Sequence, residues 1–133
     1  MPCAPHEVAV GTFHDKFHEA LIIAGLKGGL RSLMSTNQAS KDGIKIPDDS
    51  WEPSHTTRDQ SRNKPTLVVE VAYTQAARCP RKNVTYWLHA PGAQTRTVVA
   101  LNIDRKHPTI TIEKWGLGQD QEEILEQSIT INR

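Results

Sequence analysis

The stretch PTLVVEVAYT, residues 65–74, holds one carboxylate, Glu70, inside a run of aliphatic and β-branched residues. Short, Val-rich and apolar at both parities, residues 66–73 read as a central strand covered on both faces. Alternation puts Val68, Glu70 and Ala72 on one face and Leu67, Val69 and Val71 on the other. Among such neighbours a carboxylate has to be paired, be protonated, bind a metal, or sit where the sheet edge opens to water. Asp48, at the end of the apolar alternation Ile44-Lys45-Ile46 and after Pro47, is its natural companion on a neighbouring strand.

Working outward, Pro80 suits the first turn of a helix in which Val84, Trp87 and Leu88 form a stripe, closed by Pro91-Gly92. Residues 95–103 and 109–115 read as two strands joined by the charged turn DRKHP, a hairpin pattern. On the other side, Val10, Phe13, Phe17, Ala20, Leu21 and Ala24 recur at three- and four-residue steps, which predicts a helix over residues 5–26, stopped by Gly28 and Gly29. Residues 31–43 leave room for one short strand before a turn at Asp42-Gly43. Residues 51–64 are polar and read as a long loop. The tail begins acidic, and residues 128–131 alternate as a strand that ends abruptly, as if a longer domain were cut. This order of elements is α/β or α+β.

A chain of 133 residues has the length of one domain, 1–133, able to build a core without staples. Its formal net charge of +1 provides no global field for a polyanion, so local clusters must carry any such argument. Residues 55–64 and 78–82 are the most basic, and the first reads as a solvated loop. Cys3 and Cys79, without a CxxC pair, support neither a disulfide framework nor a cysteine-rich zinc site, which fits an intracellular setting, cytoplasmic or nuclear. No apolar run reaches the ~20 residues that span a bilayer, and no secretory leader stands at the N-terminus.

Two carboxylates brought together on adjacent strands repel one another unless a divalent cation lies between them. Oxygen ligands suit Mg²⁺, which keeps several waters and takes one or two carboxylates plus a phosphate, the chemistry of phosphodiester hydrolysis. Taken on spacing alone, the structural reading is favoured: Glu70 is a strand-end residue paired with a Lys or Arg, and Asp48 a turn cap beside Asp49. His14 and His18 have the i, i+4 spacing of a helical zinc pair, but no HExxH glutamate and no third ligand accompany them, and both are expected on the solvent flank. Trp51, Trp87 and Trp115 are expected to pack in the core or at its rim. No GxSxG context and no phosphate-cradling glycine loop is present.

PDDSWEP (residues 47–53), PTLVVEVAYTQ (65–75) and YWL (86–88), flanked by PHE (5–7) and IEKW (112–115), resemble the PD-(D/E)XK nuclease superfamily. The nearest likeness is to the Uma-type endonucleases and related uncharacterised fungal proteins. That resemblance implies a restriction-endonuclease-like core: a mixed central sheet flanked by helices, with an acidic pair and a lysine holding Mg²⁺, or Mn²⁺, at the strand ends. Asp48 matches the PD aspartate, Glu70 the (D/E) residue, and Glu7 the glutamate of the first helix. Ala72 stands where the motif has Lys, and Lys82 on the following helix is the substitute. Asn83 stands where relatives carry an acid. The implied activity is Mg²⁺-dependent DNA cleavage. The alternatives are a catalytically inactive nucleic-acid or protein-binding module, and a structural domain with Glu70 in a salt bridge. A homodimer is compatible with either of the first two.

Overall fold

The computed structural model describes residues 4–35, 38–40, 43–55, 64–74, 81–89 and 94–132. Its elements run α1 (Ala4–Ile23), β1 (Leu30–Ser32), β2 (Gln38–Ser40), β3 (Gly43–Lys45), β4 (Asp49–Pro53), β5 (Leu67–Thr74), α2 (Arg81–His89), β6 (Thr97–Asp104), β7 (Thr109–Leu117) and β8 (Glu123–Asn132). Six strands form one sheet in the order β1-β4-β5-β6-β7-β8, while β2 and β3 pair with each other alone. All neighbours in the large sheet are antiparallel except β5 and β6, which are parallel with α2 between them in sequence.

The expected central strand is β5, and its two faces are buried by different helices. Val69 and Val71 join Leu101 under Val10 and Phe13 of α1. Val68 packs with Val98, Ala100 and Trp115 against Val84, Trp87 and Leu88 of α2. This double cover is why β5 reads as apolar at both parities: each face removes its own set of methyl groups from water, worth roughly 25 cal/mol per Å².

Helix α1 stops at Ile23, three residues before the expected end at residue 26. Leu26 N–H bonds to Leu21 O at 2.8 Å and Gly25 N–H to Ile22 O at 3.1 Å, the paired bonds of a Schellman ending. Gly25 sits at the left-handed φ of 76° that this ending requires. Gly28 takes a left-handed φ of 79° only in the chain beyond.

The largest departure from the sequence reading is β4. Residues 51–64 were expected as loop, yet Asp49–Pro53 is an interior strand between β1 and β5, with Asp49, Ser50, Trp51 and Glu52 all buried. Composition misleads here because Asp49, Ser50 and Glu52 each have a partner, although the buried Trp51 Nε1 has none among the described residues. Asp49 Oδ2 lies 2.8 Å from His14 Nδ1, Ser50 Oγ donates to Met34 O at 2.7 Å, and Glu52 Oε1 accepts from Arg31 Nε at 2.9 Å. Buried polar groups are tolerated when they are satisfied in this way. Asp48 accordingly precedes β4 and does not end the Ile44 strand, which lies outside the large sheet. The short strand expected within residues 31–43 is matched by β2, and β1, starting at Leu30, adds a second.

The hairpin across DRKHP forms as expected. Asp104 Oδ1 accepts from Lys106 N at 2.7 Å and from His107 N at 3.3 Å, closing the turn between β6 and β7. Strand β8 begins five residues earlier than the alternation suggested and absorbs part of the acidic stretch. Cys3, Cys79, Asp42, Pro80, Pro91-Gly92, most of the basic stretch (56–63) and the start of the second one (78–80) lie outside the described residues. No helix among the described residues is long and apolar enough to cross a membrane.

Candidate functional site

Asp48 stands one residue before β4, and Glu70 lies in the middle of β5. Asp49 opposes Val69 and Ser50 opposes Val68, so the same antiparallel register carried one step further sets Asp48 beside Glu70. The two acids are thus brought to neighbouring backbone positions.

Their side chains are held from different directions. Asp48 Oδ2 accepts the backbone N–H of Val71 at 2.7 Å, so a side chain satisfies an amide of the central strand. Asp48 Oδ1 lies 3.1 Å from Nε2 of His6 on α1. Glu70 Oε1 accepts the indole N–H of Trp87 on α2 at 2.5 Å. The half-buried carboxylate in the apolar run is therefore met by a neutral donor that α2 brings down onto the same face.

Glu7 is exposed, and its Oε1 lies 3.0 Å from Nδ1 of His6. His6 consequently bridges two carboxylates, Glu7 and Asp48, one at each ring nitrogen. Only an imidazolium can donate to both. Glu7 is the residue that the motif resemblance marks here, while His6 has no such match. Its signal was its helical spacing from Val10 and Phe13, four and seven residues on, which puts it on the flank that meets the sheet.

Lys82 is exposed on the first turn of α2, and among the described residues nothing ties its amine to either acid. Asn83 is half-buried and lies four residues before Trp87, on the same helix flank. Ala72 occupies the next position on Glu70's face of β5 and is paired in register with the buried Asn102 of β6. One further carboxylate escaped the sequence reading. Glu113 opposes Ala100, which opposes Glu70, so Glu70, Ala100 and Glu113 form one row across three strands, with Glu113 buried. The alternation Thr109, Thr111, Glu113, Trp115 was the available clue, since it places Glu113 on the face that Trp115 buries.

On the opposite face, the side chains of β4 lock α1 in place. Trp51 is buried with its ring 5.0 Å from those of both His14 and Phe17 and 6.4 Å from that of His18. His14 is not on a solvent flank: it packs on this indole while holding the buried Asp49. His18 is exposed as expected. Trp51 is thus in the core, as expected. Trp87 and Trp115 are likewise buried, as expected, with the Arg81 guanidinium 5.0 Å above the Trp115 ring. This packing fixes the approach of α1 to the sheet and with it the place of His6 beside Asp48.

The fold is α+β, a mixed six-stranded sheet with one helix on each face; Asp48 meets His6 of α1, and Glu70 meets Trp87 of α2. It is similar to the crystal structure of a putative nuclease belonging to DUF820 from Anabaena variabilis ATCC 29413, with a TM-score of 0.52 at 14% identity, over 100% of this chain and 70% of that one. At such identity the likeness is one of fold. No family model and no curated protein matches the chain.

Proposed function

We propose that the chain is a Mg²⁺-dependent nuclease domain that hydrolyses DNA phosphodiester bonds, with Asp48 and Glu70 as its metal-binding acids. What supports this reading is the register that sets Asp48 and Glu70 at neighbouring backbone positions, just before β4 and within β5, in a sheet that shares its fold with a nuclease-like protein. The donor set fits the ion in kind. Both groups are hard oxygen ligands, and an oxygen that accepts one hydrogen bond keeps a second lone pair for a cation. Among the described residues no cluster of three or more His, Cys, Asp or Glu could hold a metal; in this proposal the protein supplies two carboxylates, and water and phosphate fill the remaining positions, a set that suits Mg²⁺.

Mg²⁺, when bound, would supply Lewis-acid polarisation of the phosphoryl oxygen and a water of lowered pKa. The chain's own groups do the rest. The Val71 amide and His6 orient Asp48, the Trp87 indole orients Glu70, and Lys82, if its flexible stem swings toward the acids, places a positive charge near the phosphate. Glu7, tied to His6, orients a water at the site's edge.

A second reading, a binding module of the same fold without catalysis, is favoured by Ala72 at the lysine position and by Asn83 where an acid would strengthen metal binding. Nicking of supercoiled plasmid in Mg²⁺ and Mn²⁺, run beside Glu70→Gln and Asp48→Asn, decides between them. Metal-dependent nicking lost in both variants supports the nuclease. DNA retention without nicking supports the binding module, and nicking unchanged in both variants refutes the assignment of the acids.

A further inference from the structure

We propose that two copies of this chain associate through their β8 strands, which pair antiparallel about a two-fold axis at Thr130 and join two six-stranded sheets into one of twelve. One edge of the sheet is β1, three residues long; the other is β8, ten residues long and mostly exposed. A long edge strand presents a row of unpaired backbone N–H and C=O groups, and monomeric proteins blunt such edges with charges, prolines or bulges.

On β8 every such device lies in the first half. Glu123 and Glu126 are there, and the register shift opposite Lys114/Trp115 displaces the strand at Glu126, whose carboxylate Lys114 holds at 3.1 Å. From Gln127 to Asn132 the strand has no charge, no proline and no glycine. It pairs regularly with β7 and carries Ile129 and Ile131, 58% and 50% exposed. The unprotected half is also the half of high β-propensity.

The apolar surface continues inward from this edge. Ile129 opposes Ile112, and Ile131 opposes Ile110, which in turn opposes Ile103. These residues extend the face that α1 covers near β5, where the cluster around Val71 and Leu101 draws in Ile103 and Ile112. Beside them an open, largely apolar groove of about 420 Å³ is lined by Ile103, Pro108, Ile110 and Ile131.

The occupant that fits this edge is a second copy, because the sequence complements itself there. An isologous contact must satisfy its own pattern under two-fold rotation. With the axis at Thr130, Ile129 of each copy stands opposite Ile131 of the other, and Ser128 opposite Asn132. Four isoleucines then meet on one face of the continuous sheet, and no charge faces a like charge. The glutamates lie outside the overlap, and the bulge at Glu126 ends it. Both long edges are consumed, so the assembly closes at two.

Sedimentation velocity of the full chain over roughly 1 to 300 µM tests this, spanning the affinities of small interfaces. The expected result is a concentration-dependent dimer in the wild type, and monomer in Ile129→Lys, with the dissociation constant raised by at least about tenfold. Because Ile129 is exposed, the lysine leaves the fold intact, which circular dichroism checks. In a Cys3→Ser, Cys79→Ser background, Thr130→Cys should oxidise to a covalent dimer faster than a Glu122→Cys control. Monomer throughout the range, a dimer insensitive to Ile129→Lys, larger oligomers, or equal oxidation rates would each overturn the proposal.

Discussion

Glu52 is 1% exposed, and it accepts from both Nε and Nη2 of Arg31, directly opposite it on the edge strand β1. Arg31→Met keeps most of the stem that covers this region and removes the charge. Breaking a buried ion pair costs about 3–5 kcal/mol because the remaining charge loses its compensation. The Arg31 side chain is 45% exposed, so water screens part of that loss and about 2.5 kcal/mol is expected. An unfolding entropy of about 2.1 cal/mol/K per residue gives roughly 0.28 kcal/mol/K for this length, hence a fall in Tm of about 9 °C. Replacing both partners, Arg31→Met with Glu52→Leu, removes the buried acid together with its cation, and Tm should recover to within about 4 °C of wild type. Calorimetric melts of the four proteins of this cycle measure both quantities. A drop below about 2 °C in Arg31→Met, or a double variant no better than the single, would show that β4 does not depend on this pair and that its buried acids need another explanation.

Acid should loosen the link between α2 and β8. Burial pushes the Glu123 carboxyl up, but the Thr85 hydroxyl and the Arg81 guanidinium outweigh it and hold the group below its ordinary 4.5. Its stabilising contribution is therefore complete above about pH 4.5 and disappears as pH falls through the lower folded-state value. Thr85→Ala should move the acid-unfolding midpoint to higher pH in a circular dichroism titration, and an unmoved midpoint would refute the linkage. In the core, Ala100→Leu adds bulk between Val68, Val98 and Trp87 where no space remains, and should cost about 1–3 kcal/mol by urea denaturation.

Local pattern determined a good part of this molecule. The three- and four-residue spacing of Val10, Phe13, Phe17 and Leu21 specified α1, and the double-sided apolar run at 67–74 specified a covered central strand. The stripe Val84, Trp87, Leu88 specified α2, because helix and strand periods are properties of the chain itself. The order of those elements indicated α/β or α+β, and the mixed sheet flanked by helices was implied by the resemblance of the short motifs around Asp48 and Glu70. Tertiary structure alone decided β4. DSWEP has the composition of a loop, and it becomes an interior strand only because His14, Arg31 and the Met34 carbonyl, distant in sequence, arrive to satisfy Asp49, Glu52 and Ser50. The same holds at the candidate site. An acid in an apolar strand announces that it needs a partner, but whether that partner is the Trp87 indole, and whether Asp48 is met by His6, depends on how two helices dock. Hydrogen bonding is directional and short-ranged, and a one-dimensional sequence does not carry the docking angles that satisfy it.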